Sequence, residues 1–165
     1  MAHSALYDED ILLWSERQAE VIRRLGQTRR DLPNDFDVLN VAEEIESVGR
    51  SELASVESQL QNILVHLIKL AQQPEAQATK HWLIELVGFH ADMKRRYAPS
   101  MRQRIDIDEI WWIARKLTVL ERSEEDEASM PEVSPFQLEE LLGNDPPMAT
   151  LAARLTRQLL EARSN

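Results

Sequence analysis

Four glutamates crowd the stretch NVAEEIESVGRSE, at positions 43, 44, 46 and 52, and histidines follow at 66 and 90. Carboxylates and imidazoles hold divalent cations or carry protons at neutral pH, so any catalysis in this chain would centre on these groups. On a helical wheel stepped at about 100° per residue, Val41, Ala42, Ile45, Val48, Leu53 and Val56 share one broad apolar face that continues to Leu70. Glu43 and Glu44 project outside it, as solvated helix surface. Glu46 lies at its edge, four residues before Arg50, the orientation of a helical ion pair worth roughly 0.3 kcal/mol. Glu52 projects inside the face, between Val41 and Ile45. An ionised carboxylate there demands a positive or hydrogen-bonding partner, for which Arg95, Arg96 and Arg104 are the candidates. The polar cluster to be placed is therefore Glu43, Glu46, Arg50, Glu52, His66 and Lys69.

The patterns that would turn such a cluster into a metal centre are incomplete. Glu43-x-x-Glu46 matches the first half of the carboxylate pattern with which all-helical nucleotide pyrophosphohydrolases hold magnesium. The second half is missing, because Glu57 is followed at that spacing by Leu60 and Glu75 by Ala78. No glutamate precedes a histidine by three positions, as di-iron bundles require. Glu52 and His66 would stand roughly 21 Å apart on one straight helix, so sharing an ion would require a break at Gly49 or ligands from elsewhere. Gly-rich phosphate loops and nucleophile elbows are absent, and with no cysteine the chain has no thiolate chemistry. No cofactor and no metal are assigned.

Composition narrows the class further. The 165 residues, 43% of them hydrophobic, suffice for one compact domain, and the net charge of −10 argues against a polyanionic partner such as nucleic acid. Residues 123–145 carry eight acids and no base, while Lys94 to Arg96 and Arg102 to Arg104 are locally basic and are expected to pair with acidic segments of the same molecule. No apolar run approaches the ~20 residues that cross a bilayer, and the N-terminus does not resemble a signal peptide, so a soluble cytoplasmic protein is expected.

The elements that must position these residues read as helices throughout. The expectation is an all-α, single-domain bundle of about five to six helices around one long central helix, with residues 1–145 as the bundle and 146–165 as an amphipathic extension. A first helix spans about Asp8 to Leu25, capped by Asp8, stapled by Tyr7 and Leu12, ended by Gly26, and buried along Ile11, Trp14, Ile22 and Leu25. The long helix runs from Val38 to Ala71 through Gly49. A third, about Thr79 to Tyr97, buries Trp82, Leu83, Leu86, Val87, His90, Met93 and Tyr97 until Pro99 stops it. Ser100 caps a fourth reaching about Glu121, with Met101, Ile105, Trp112 and Val119 inward; an acidic exposed loop follows from Arg122 to Ser134. A short helix, FQLEELL, closes at Gly143. The last carries Met148, Leu151, Ala152, Leu155 and Leu159 as a stripe that folds back or meets a partner.

In that order, YDEDILLW, VAEEIESVGRSE, HLIKLAQQP, PSMRQRI and MPEVSPFQLEELL resemble the bacterial family catalogued as domain of unknown function twenty-nine, over about residues 6 to 145. The resemblance implies a small all-helical fold and no established activity. It marks Tyr7, Asp8, Asp10, Trp14, Glu43, Glu44, Glu46, Gly49, Arg50, Ser51, Glu52, His66, Lys69 and Pro74. The sequence points first to a non-enzymatic helical interaction or regulatory protein of the bacterial cytoplasm, meeting a second copy or a protein partner through its C-terminal helix. The alternative is a divalent-metal-dependent enzyme or metal-binding protein built on the helix-borne carboxylates and a histidine.

Overall fold

The computed structural model describes residues 2–120 and 129–164. Seven α-helices and no strand occur among them: α1 Ala2–Glu9, α2 Ile11–Thr28, α3 Val38–Gln72, α4 Thr79–Arg96, α5 Ile107–Leu120, α6 Leu138–Leu142 and α7 Met148–Ser164, with a 3-10 helix at Pro99–Gln103. The chain is all-α with one long helix, as its periodicity requires. It divides into two compact units, residues 1–56 with 96–105, and residues 57–95 with 106–165.

In unit 1 the first helix is really two. Asp10 and not Asp8 is the N-cap: its side chain accepts the Leu13 N–H at 3.0 Å, and α1 ends one residue earlier. This shift also corrects the buried stripe, which runs through Leu12, Ser15 and Ala19, while Ile11, Trp14 and Ile22 are half-buried and Leu25 is exposed. Gly26 does not end the helix. A Cβ there would stand 2.5 Å from Val38 Cγ1, and one at Gly49 would meet Ser15 Oγ at 2.2 Å and the Leu12 Cα at 2.9 Å. Both glycines therefore let α2 and α3 approach closely at the two ends of one seam, and α3 passes through Gly49 unbroken, its roughly 1 kcal/mol propensity cost offset by that contact. The helix continues as expected from Val38, one residue beyond Ala71. Its apolar face is not uniformly buried, since Val48 is 44% exposed.

Unit 2 owns the large core. Leu60, Ile63, Leu64, Leu67 and Ile68 of α3, Leu86 and Met93 of α4, Trp111 and Ala114 of α5, Phe136, Leu141 and Leu155 are all fully buried. Val87, expected inward, is 68% exposed. The helix expected from Ser100 to Glu121 is split: the 3-10 turn buries Met101, and Asp106 then starts α5 by accepting the Asp108 and Glu109 N–H groups at 3.0 and 3.1 Å. The later start turns the wheel, so Trp111 is buried and Trp112, expected inward, is 55% exposed. Glu121 and residues 122–128 of the expected acidic loop lie outside the described residues. In α7 the stripe Met148, Leu151, Ala152, Leu155 and Leu159 is buried inside unit 2, where Thr156 Oγ1 donates to the Ala71 carbonyl at 3.1 Å.

Candidate functional site

The glutamate-rich motif lies on the first five turns of α3, and α2 supplies what it meets. Arg23 reaches Glu46 at 2.5 Å and Glu43 at 3.7 Å. Arg50 donates to Glu43 and stands 3.9 Å from Glu46. Two guanidinium groups and two carboxylates thus neutralise one another along one side of the α2–α3 seam. Glu46 is the more sheltered acid, its side chain 29% exposed against 56% for Glu43. An apolar recess of about 250 Å³, lined by Arg23, Gly26, Gln27, Val38 and Leu39, lies beside this group.

Glu52 pairs separately. Arg96, one of the three arginines expected as partners, donates through Nη1 to both of its oxygens at 2.9 and 3.0 Å. The Glu52 side chain is half-buried and not deep in the apolar face. The buried carboxylate of unit 1 is instead Asp10, 6% exposed. Its Oδ1 accepts the Leu13 N–H and the Ser100 hydroxyl at 2.7 Å, and its Oδ2 accepts the Ser100 N–H at 2.8 Å. One side chain therefore caps α2 and ties it to the start of the 3-10 helix, 90 residues away in sequence. In the sequence Asp10 stands out only among the positions that the family resemblance marks. The signal available was the pairing of YDED with a Ser that follows Pro99.

His66 and Lys69 belong to unit 2. His66 Nδ1 faces the Asn62 carbonyl at 2.9 Å and Nε2 faces Glu85 Oε2 at 3.0 Å, while Phe89 packs edge-on with ring centroids 5.1 Å apart. Both ring nitrogens therefore meet oxygens of the protein. The second Glu85 oxygen lies 3.4 Å from His81 Nε2. Lys69, in the last turn of α3, is engaged within the protein. His90 directs Nε2 to the Gly143 carbonyl at 2.9 Å, and Lys94 donates to the Leu142 carbonyl at 2.9 Å, so both serve the end of α6. Of the predicted cluster, Glu43, Glu46 and Arg50 come together; Glu52 has its own partner, and the remaining two lie in the other unit.

A further polar site was not legible in the sequence. Arg154 of α7 holds Glu140 of α6 through two bonds of 2.7 and 3.0 Å, donates to the Pro135 carbonyl at 3.0 Å, and stacks over Phe136 with its guanidinium carbon 5.3 Å from the ring centroid. The hydrogen bonds from Arg154 lower the Glu140 carboxyl below its ordinary range, and the same bonds raise Arg154. Glu57 moves the opposite way. Burial, with the nearby Glu109 charge, raises its carboxyl above the usual value.

Among the described residues no group of three or more His, Asp or Glu side chains is placed to hold a metal ion, and no helix is long and apolar enough to cross a membrane. Residues 6–145 match the family described as Domain of unknown function DUF29. An alpha-helical protein of unknown function from Rhodospirillum rubrum, known from its crystal structure, is 34% identical to this chain with a TM-score of 0.84, over 90% of this chain and 96% of that one. No curated protein matches.

Proposed function

We propose, on the premise that this chain belongs to the family described as Domain of unknown function DUF29, that it is a non-enzymatic helical interaction or regulatory protein. The observation carrying this reading is that three of the motif's four glutamates, and the buried Asp10, are already engaged: Glu43 and Glu46 by Arg23 and Arg50, Glu52 by Arg96, Asp10 by Ser100 and Leu13. Carboxylates that bind a divalent ion converge on one point with oxygens to spare, whereas these meet guanidinium and amide donors. The His66–Glu85 pair resembles an acid–base dyad only in part. A general base needs one ring nitrogen directed at substrate, and here both face oxygens of the protein.

What a partner would meet is apolar surface in unit 2. An open groove of about 250 Å³ runs between the start of α4 and the C-terminal helix, lined by Leu70, Pro74, Leu83, Ala149, Ala153 and Thr156 among others. Val87 lies one turn beyond Leu83 on the same side of α4, and Leu160 one turn beyond Thr156 on α7, exposed by 68% and 58%. The C-terminal helix therefore offers its outer wall while its buried stripe is spent on the core. A bacterial cytoplasmic location is part of the proposal, and cell fractionation tests it.

The decisive experiment is elemental analysis of the protein purified without chelator, with thermal melts in magnesium, manganese and zinc. No stoichiometric metal and unchanged melting are expected. A bound divalent ion that disappears in Glu46→Gln would overturn the reading in favour of a metal-dependent protein.

A further inference from the structure

We draw no further inference here: the strongest candidate, the apolar groove of unit 2 between the start of α4 and the C-terminal helix, with Val87 exposed one turn beyond Leu83, belongs to the surface already described, and nothing in the structure shows what covers it.

Discussion

The two units achieve order by different means. Unit 2 is sealed by large side chains, with Trp111, Phe136 and a ladder of leucines and isoleucines along α3 at zero exposure. Among the described residues of unit 1 the fully or nearly fully buried apolar side chains are Leu12, Ala19, Ala42, Val56, Ala98 and Met101, with no aromatic ring among them. What locates its helices is close approach at two glycines and one buried carboxylate. Burial of bulky apolar groups is non-directional and strong, so unit 2 tolerates polar irregularity at its edge. Hydrogen bonds and glycine contacts are directional, so unit 1 depends on a few atoms.

The sharpest way to break this contrast is to attack each unit at its own support. Trp111→Ala should cost about 4 kcal/mol in urea unfolding, through lost burial of a ring that also packs edge-on against Phe136 and donates to the Pro131 carbonyl. Hydrogen exchange should rise most in residues 57–95 and 106–120; an equal rise in residues 11–56 would refute the contrast. Asp10→Ala should cost about 2 to 3 kcal/mol, since it removes the α2 cap and leaves the Ser100 N–H without its acceptor. A loss below about 0.5 kcal/mol would show that unit 1 does not rely on this carboxylate. Gly49→Ala should cost about 1 to 2 kcal/mol despite better helix propensity, because the Leu12 backbone cannot yield as a flexible side chain would. A stabilised Gly49→Ala protein would disprove the tight seam.

The smallest effects come from two carboxylates in unit 2 and have opposite signs. Glu140 has a lowered carboxyl, so its bonds to Arg154 stabilise the fold above the ordinary glutamate value and are lost as pH falls through the lowered one. Arg154→Ala should therefore destabilise at pH 7 and flatten the loss of stability on acidification below about pH 4. Glu57 has a raised carboxyl, so its contribution is favourable when protonated and disappears as pH rises through the raised value. Glu57→Gln should stabilise the protein at pH 7 by about 0.5 kcal/mol and have no effect at pH 3. Destabilisation by Glu57→Gln at pH 7 would mean that the ionised group has a favourable partner.

Sequence periodicity by itself determined the all-α class, the unbroken length of α3 and the buried stripe of α7, because a 3.6-residue period records which face of each helix leaves water. It also supplied the arginines that could meet Glu52. Registers failed where a boundary was misplaced: taking Asp8 as the cap moved the α2 stripe, and starting a helix at Ser100 exchanged Trp112 for Trp111. Only the tertiary structure decided that Asp10 is the buried acid, that Arg154 clamps Glu140, and that both histidines face oxygens at each engaged ring nitrogen. Those facts depend on residues up to 90 positions apart being brought within 3 Å. A helical wheel reports which way a side chain leaves its own axis, whereas the partner it finds there is set by how the other helices pack.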